Sequence, residues 1–436
     1  MQLSTIFEHE YSVMDNLTNY FYILIILFCF VKYGILPFFS KDKSLFWTPI
    51  NFIIIVYLYY VVMPFFKGNI TGFWWLGRMN YHLGEEKFLA CVTLSLISTI
   101  VGFHHVYARN WLKGLNKSVN TSLIVKYGVF LFAIGLICYV PFRGFTLSVQ
   151  NSGNIQVFED TNAFAMYFVN ALSLTIAGCA FALIGVIDNK KYLWLFITLL
   201  WITAVTFIFS GFRFRLVILA VSLATVLHLY RSPKRINLAV WIPILVGFYI
   251  LMGIMDKTRS YSNGLDLSRL DDVPENQRYS GAAENEGVYA FSCLVMDRCE
   301  NYPLKGFDPI WRAITMPFPR ALFPWKPGPS EQSVQQVVFG DEFGCAYIMP
   351  VDNWLSYRWL GVLAYGLFMG YLCSIFWNNY RKNPHSVGAI VLLALFNGFT
   401  YVMISRGYVA QVFTTFIFFV ILPFWIIKFL NKLLTK

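Results

Sequence analysis

The residues with the clearest chemical potential are arginines in short turns between long apolar runs. Arg213 and Arg215 lie in the turn Ser210–Arg215, and Arg406 lies in Ile404–Gly407. A guanidinium group stays charged at any relevant pH and binds phosphate oxygens through parallel hydrogen bonds. Several such groups in one pocket would bind a diphosphate and stabilise it as a leaving group. The alternative is that these side chains extend to lipid headgroups.

Carboxylates in the polar segments are candidate proton acceptors. A transfer to a hydroxyl group needs a base within hydrogen-bond range of that hydroxyl. The sequence does not select one carboxylate, and each is also readily explained as a solvated loop residue. The candidates are Glu331, Asp341, Glu342 and Asp352.

The composition places the protein in a membrane. Hydrophobic residues make up 57% of the 436 residues and charged residues 13%, and the mean hydropathy is +0.57. Such a chain cannot cover a globule in water, whereas about 20 consecutive apolar residues span a bilayer as a helix. The net charge of +11 is scattered among apolar runs, so we do not expect nucleic-acid binding. Met1–Asn19 has no Lys or Arg, and we expect an uncleaved first span rather than a secretory signal.

Hydropathy predicts an all-α polytopic protein with about 11 transmembrane helices. The predicted spans are Tyr20–Phe39, Phe46–Phe66, Phe88–Val106, Ser122–Val140, Ala163–Ile187, Tyr192–Ser210, Leu216–Tyr230, Leu238–Met255, Leu360–Trp377, Val387–Ile404 and Val409–Phe429. They divide the chain into a first membrane bundle of about eight helices (1–255), a large loop (256–355) and the last three helices (356–436).

Alternate loops carry a consistent excess of positive charge. The basic set contains Lys41 and Lys43; Arg109, Lys113 and Lys117; Lys190 and Lys191; Arg231, Lys234 and Arg235; Arg381 and Lys382; and Lys428, Lys432 and Lys436. The positive-inside rule puts this side in the cytoplasm, with the N-terminus outside and the C-terminus inside. The large loop and the arginine turns then face outward, and within the loop we expect short helices near Glu284–Met296, Pro309–Leu322 and Ser330–Val338.

Several classes of site are excluded by the sequence. It contains no phosphate loop, nucleotide-binding glycine fingerprint, HExxH or GxSxG motif. None of the six histidines lies in the large loop, so we expect neither a histidine metal site nor a cofactor. The predicted cytoplasmic loops are too short for a nucleotide-binding domain, and the substrate must therefore arrive already activated on the outer side. A disulfide among Cys293, Cys299 and Cys345 is left open.

In this layout the chain resembles the bacterial O-antigen or oligosaccharide repeat-unit polymerases. The resemblance covers the whole chain in its span number, its one large loop before the last three helices and its basic outer turns. In sequence it rests on two segments, Ser210-Gly211-Phe212-Arg213-Phe214-Arg215 and Pro319-Arg320-Ala321-Leu322-Phe323-Pro324-Trp325-Lys326-Pro327. An arginine–glycine pattern that some members carry in two loops is not found here.

The resemblance implies a metal-independent membrane glycosyltransferase at the periplasmic face of the bacterial inner membrane. Such enzymes transfer a growing glycan from one undecaprenyl-diphosphate carrier to the repeat unit on another. The expected partners are these lipid-linked oligosaccharides and membrane lipids, and a chain-length regulator is left open. The predicted catalytic residues are Arg213, Arg215, Arg320, Arg406, Glu331 and Asp352, and the predicted substrate-binding residues are Arg143, Arg312, Lys326, Trp325 and Arg78. For Arg312 and Trp325 the alternative is a contact with lipid headgroups.

Three other functions stay open at this point. An O-antigen ligase shares the layout, but its large loop typically has an important histidine that is missing here. A peptidoglycan-type polymerase is the nearest enzymatic rival. A lipid-linked oligosaccharide flippase or transporter would have short loops on both sides or ionisable residues within its spans, and neither feature fits this sequence.

Overall fold

The computed structural model describes residues 13–71, 81–105, 120–140, 170–209, 213–230, 237–260, 264–265, 267–271, 284–315, 323–325, 330–339 and 346–434. Nearly all regular structure in these ranges is helical. The exception is one antiparallel pair of two-residue strands, β1 (Arg259–Ser260) and β2 (Gly264–Leu265).

The helices follow the apolar runs of the sequence. The first group is α1 (Val13–Phe30, continued by Val31–Ile35 and Leu36–Phe39), α2 (Pro49–Tyr57, continued by Leu58–Val62 and Met63–Thr71), α3 (Glu85–His105), α4 (Thr121–Tyr139), α5 (Leu174–Asp188), α6 (Leu193–Phe209), α7 (Arg213–Leu229) and α8 (Leu238–Thr258). The second group is α9 (Glu284–Arg298), α10 (Asp308–Thr315), α11 (Ser330–Phe339), α12 (Met349–Lys382), α13 (Val387–Ser405) and α14 (Val409–Phe416, continued by Ile417–Ile421 and Leu422–Leu434).

Within the described ranges, eight helices are long and apolar enough to cross a membrane. They include α1 to α4, α6 and α12 to α14, whereas α5 and the apolar part of α8 are shorter. Each predicted span overlaps one helix, although the predicted start of the fifth span at Ala163 lies outside the described residues. The protein is therefore a helical, polytopic membrane protein, while the number of crossings and their orientation stay predictions.

Three of the long helices contain a π turn shortly before a proline. In α1, α2 and α14, one wider π turn ends two residues before a proline: Pro37, Pro64 and Pro423 respectively. A proline inside a helix removes one backbone donor, and its ring clashes with the carbonyl four residues earlier. A π turn widens the helix at that point, so the proline is accommodated while the remaining polar groups stay bonded within the helix.

Small residues allow close helix packing. Along the contact between α3 and α12, a Cβ atom on Gly366 would lie 1.8 Å from Ser98 Oγ, and one on Gly370 would lie 2.1 Å from the Thr99 carbonyl oxygen. Glycine permits this approach because van der Waals packing, rather than the hydrophobic effect, drives helix association in lipid. Helix α7 packs against α13 in the same way, and Ser222 donates a hydrogen bond to the Ala394 carbonyl.

Side-chain contacts join helix ends next to the basic loops. Asp188 at the end of α5 accepts hydrogen bonds from Thr121 at the start of α4 and from Tyr230 directly after α7. Asp42 after α1 pairs with Arg381 in the last turn of α12. These positions lie in or next to the loops of the basic set, whose location on the cytoplasmic side stays a prediction.

Parts of the large loop pack tightly on the bundle. The three helices expected from its sequence correspond to α9, α10 and α11. Helix α9 is buried along most of its length, and Gly84 lies directly against its Cys293 carbonyl oxygen. Helix α12 begins at Met349 and is broken at Tyr357 and Arg358, two residues after the predicted end of the loop at residue 355. The turns before the break contain Asp352, Asn353 and Ser356, so a hydropathy window does not include them in the span.

Candidate functional site

Arg213 and Arg406 bind the same carboxylate. Arg213 is the first residue of α7, and Arg406 directly follows α13. Because α7 and α13 pack side by side, the start of one lies near the end of the other. Arg213 Nη2 lies 3.4 Å from Glu284 Oε2, and Arg406 Nη2 lies 3.1 Å from Glu284 Oε1. We refer to Arg213 and Arg406 as the arginine pair.

The arginine pair and Glu284 are partly enclosed by the protein. Two guanidinium groups contact one carboxylate. The exposed fractions of the three side chains, Arg213, Glu284 and Arg406, are 12%, 16% and 23%, so the pair is shielded from bulk water yet reachable. Burial is the largest single influence on the pKa of Arg406 and acts to lower it, but Glu284, Tyr60 and Tyr401 together outweigh burial, and the pKa is raised. Arg406 therefore stays charged.

One nitrogen of the arginine pair has spare hydrogen-bonding capacity. Arg406 Nε is buried and has no hydrogen-bond partner among the described residues. Buried donors are nearly always satisfied in folded proteins, and an exception calls for an explanation. An anion with more oxygens than a carboxylate would explain the exception, because one of its oxygens would accept a hydrogen bond from Arg406 Nε.

Arg215 lies beside the arginine pair in a different contact. Its guanidinium is buried and donates a hydrogen bond to Asn170 Oδ1 at 3.1 Å. The ring of Phe214 connects the two places, because its centroid lies 5.6 Å from Arg215 Cζ and 5.9 Å from Arg406 Cζ. Three of the four arginines predicted as a group are therefore brought to one end of the bundle.

The start of α9 holds Glu284 in place. Asn285 donates to the carbonyl oxygen of Tyr59 at 3.0 Å, and Glu286 pairs with Lys67. Acidic side chains at a helix N-terminus are favoured by the helix dipole. These contacts join the start of α9 to the C-terminal half of α2, so a docked helix places Glu284 against the arginine pair.

Two tyrosines complete the surroundings of the arginine pair. The hydroxyl groups of Tyr60 in α2 and Tyr401 in α13 lie 2.5 Å apart. Both phenols interact electrostatically with Glu284 and Arg406. Sequence reasoning missed Glu284, Tyr60 and Tyr401, since the tyrosines look like ordinary residues of a span. The two acidic residues Glu284 and Glu286 at a predicted helix start were the available signal for Glu284, but nothing linked them to the arginine turns.

Asp352 lies in a separate, buried group. Its Oδ1 atom is 2.8 Å from Lys305 Nζ and accepts a hydrogen bond from the Tyr347 hydroxyl at 3.0 Å. Lys305 also donates to the Tyr347 hydroxyl at 2.8 Å. All three residues are buried. We refer to Lys305, Tyr347 and Asp352 as the Lys305 triad, and its members contact one another rather than the arginine pair.

Two of the candidates for substrate binding, Arg312 and Trp325, are among the described residues. Arg312 in α10 is buried, and its Nε atom donates to the Tyr408 hydroxyl at 2.7 Å. Trp325 is 64% exposed. Arg320, Arg143, Lys326 and Arg78 lie outside the described residues, and of Glu331 the structure describes the backbone in α11 but not the side chain.

The cysteines of the large loop are unreactive where they are described. Cys293 and Cys299 are buried free thiols, and Cys345 lies outside the described residues. Burial raises the pKa of the Cys299 thiol to about 11, so it stays protonated and a poor nucleophile.

Comparisons of the sequence and the structure with known proteins found no match. No protein-family model matches the sequence, and no curated protein or solved structure is significantly similar to it. The functional assignment therefore depends on the arrangement of the arginine pair, Glu284 and Arg215.

Proposed function

We propose that the protein polymerises lipid-linked oligosaccharide repeat units at the periplasmic face of a bacterial inner membrane. The growing glycan would leave one undecaprenyl-diphosphate carrier and join the repeat unit on another. In this orientation the N-terminus is outside, the C-terminus is inside, and the large loop lies over the periplasmic ends of about 11 spans.

The observation that carries the proposal is the meeting of Arg213 and Arg406 on opposite oxygens of Glu284. The carboxylate occupies the place where two guanidinium groups together bind one oxyanion. A diphosphate presents more oxygens and more negative charge than a carboxylate, and arginine is well suited to bind it. The spare Arg406 Nε donor favours an anion of this kind.

The chemistry assigned to these residues is leaving-group stabilisation. In the reaction, the bond between the anomeric carbon and the diphosphate oxygen breaks, and the acceptor hydroxyl forms a new bond to that carbon. The hydroxyl proton passes to a base, and the diphosphate leaves on its polyprenyl carrier. Fixed guanidinium groups in a site of low water content stabilise the charge that develops on the leaving oxygen. Arg213 and Arg406 would contact the diphosphate, with Arg215 behind them.

An apolar surface beside the site supports a substrate held in lipid. The outer face of α10 exposes Phe307, Ile310, Trp311 and Ile314, while its opposite face is buried against α14. A short helix with one strongly apolar exposed face lies in the plane of the membrane interface. Such a helix would keep the outer ends of the spans at the level of the lipid phosphates.

The experiment is a chain-growth assay with purified, reconstituted protein and lipid-linked repeat units. We expect Arg213→Ala and Arg406→Ala each to lower the rate about 100-fold or more, in the range found when one donor to a developing oxyanion is removed. Arg381→Ala is the matched control, because it removes an arginine–carboxylate pair at the other end of the bundle. Wild-type chain growth by both site variants would refute the proposal.

A deletion strain separates the proposal from its alternatives. In a bacterium with visible surface-glycan laddering, loss of a polymerase leaves single capped units. Loss of a flippase leaves none, and loss of a ligase leaves all glycan on the carrier lipid. Complementation with Arg406→Lys should restore the ladder only in part, because a lysine ammonium cannot make the paired contact of a guanidinium.

A further inference from the structure

The Lys305 triad is joined to the arginine pair through one glycine. Gly407 follows Arg406 directly, and its backbone N–H donates to the Tyr347 carbonyl oxygen at 2.7 Å. Gly407 also lies flat against the Tyr347 ring, where a Cβ atom would come within 2.4 Å of Cδ2. No side chain larger than hydrogen fits there without moving the turn that carries Arg406.

Tyr347 is in turn fixed by its hydroxyl group. That hydroxyl lies between Lys305 Nζ at 2.8 Å and Asp352 Oδ1 at 3.0 Å, and Lys305 and Asp352 also pair directly. A buried ion pair is stable only when its geometry is good and further hydrogen bonds satisfy its remaining donors and acceptors. The Tyr347 hydroxyl supplies such hydrogen bonds to both charges, and they fix the position of its ring.

The break in α12 explains how Lys305 reaches this position. Tyr357 and Arg358 leave the helical conformation, and Arg358 adopts a φ of 53°. The carbonyl oxygens of Leu355 and Ser356 consequently accept hydrogen bonds from the backbone N–H groups of Lys305 and Gly306. The loop segment is thereby attached to α12 by its backbone, and the Lys305 side chain points into the protein towards Asp352.

Arg358 ties the same break to the end of α9. Its guanidinium donates to the carbonyl oxygens of Glu300 and Tyr302 at 2.8 and 2.7 Å, and it stacks on the Trp354 ring at 4.3 Å. A cation at a helix C-terminus complements the helix dipole. Helix α9 is therefore held at its end by Arg358 and at its start by Glu284, which binds the arginine pair.

We infer that Lys305, Tyr347 and Asp352 are positioning residues that hold Gly407, and through it Arg406, in the orientation needed to bind a diphosphate. This inference rests on the proposed function of the arginine pair. It gives Asp352 a positioning role in place of proton acceptance, because its Oδ1 atom is held by Lys305 and Tyr347 and the residue is 1% exposed, while its Oδ2 atom is buried with no hydrogen-bond partner among the described residues. The Lys305 triad acts on the site through Arg406 and does not touch the substrate.

The first test uses glycine substitutions and inorganic pyrophosphate as the probe. Binding to the full-length protein in nanodiscs is measured by calorimetry. Gly407→Ala should weaken binding about tenfold or more, because the new methyl group displaces the Arg406 turn. Gly247→Ala is the matched control, since a Cβ atom on that helical glycine meets nothing within 4 Å. Equal pyrophosphate affinity in the two variants would overturn the inference.

The second test separates positioning from general stability. Tyr347→Phe keeps the ring against Gly407 but removes the hydroxyl group shared by Lys305 and Asp352, and Tyr249→Phe on the exposed face of α8 is its control. We expect Tyr347→Phe to weaken pyrophosphate binding about fivefold or more, and to have much less effect in an Arg406→Lys background, as for coupled residues in one network. Equal effects in both backgrounds would overturn the inference.

Different results would contradict the proposed function of the arginine pair and the positioning role of the Lys305 triad. If Arg406→Ala itself leaves pyrophosphate affinity unchanged, the proposed function of the arginine pair is wrong. If Arg406→Ala abolishes binding while Gly407→Ala and Tyr347→Phe bind as wild type does, the arginine pair stands and the positioning role of the Lys305 triad is wrong.

Discussion

Arg213 and Arg406 are separated by almost two hundred residues in sequence, yet they bind opposite oxygens of one carboxylate, that of Glu284. The packing of α7 against α13 brings the two arginines together, and the docking of α9 supplies the carboxylate. The site therefore joins the first bundle, the large loop and the last three helices. Its formation depends on the whole fold rather than on a local motif.

The first prediction concerns the carboxylate that the diphosphate must replace. Glu284→Gln keeps the size and the hydrogen-bond acceptor but removes the negative charge that competes with the substrate. We expect inorganic pyrophosphate to bind about tenfold more tightly, equivalent to about 1.4 kcal/mol. Calorimetry on the reconstituted protein measures this difference.

The control for this change is Glu286→Gln, which removes a charge from the same helix turn but faces Lys67. It should leave pyrophosphate affinity within about twofold of wild type, because Glu286 pairs with Lys67 and has no part in the proposed diphosphate site. Weaker pyrophosphate binding by Glu284→Gln would mean that the carboxylate organises the arginine pair rather than competing with its ligand.

The second prediction concerns Arg312, whose buried guanidinium contacts Tyr408. If its task is to dock α10, Tyr408→Phe should reproduce the effect of Arg312→Met, because each removes one partner of the same hydrogen bond. Limited proteolysis of the reconstituted protein measures how firmly α10 is docked. We expect faster cleavage near α10 in both variants. A large loss of pyrophosphate binding in Arg312→Met alone would instead assign Arg312 to the substrate.

The third prediction concerns helix packing at Gly366. Gly366→Val should destabilise the fold by about 1–3 kcal/mol, because the added side chain overpacks the α3–α12 contact at Ser98. Thermal unfolding in detergent measures the effect. Gly247→Val is the control, since that glycine has open space around it. Equal unfolding temperatures for the two variants would argue against the tight contact of α3 with α12.

The fourth prediction concerns orientation. A green fluorescent protein fused after Lys436 should be fluorescent in cells, because this reporter folds poorly when exported and the positive-inside rule puts that end in the cytoplasm. An alkaline phosphatase reporter inserted between Ser268 and Arg269 in the large loop should be active, because this reporter works only after export and the loop is predicted to lie outside. The reverse pattern would place the arginine pair in the cytoplasm and remove it from any periplasmic substrate.

The elements of the membrane bundle could be predicted from the sequence because each is encoded locally. A span such as α13 is an uninterrupted apolar run. In lipid such a run forms a helix, because a helix satisfies the backbone hydrogen bonds within the segment. The start of α12 could not be predicted in this way. Its first turns carry Asp352 and Ser356, whose burial depends on Lys305 and Gly306 from a distant part of the chain.

Part of the candidate site could be predicted because it also gives a local signal in the sequence. Arginines in short turns on the predicted outer side stand out because the positive-inside rule disfavours them there, and this signal singled out Arg213, Arg215 and Arg406. Glu284 gives no such signal, since an acidic residue at a helix start is ordinary. Only the packing of α9 against the bundle shows that it faces the arginine pair.

The most direct test is a cryo-EM structure of the protein with undecaprenyl diphosphate in nanodiscs. The account predicts diphosphate oxygens about 2.8 Å from guanidinium nitrogens of both Arg213 and Arg406, with the Glu284 carboxylate moved away from the arginine pair. Diphosphate density on another surface, with Glu284 still bound to both arginines, would contradict it.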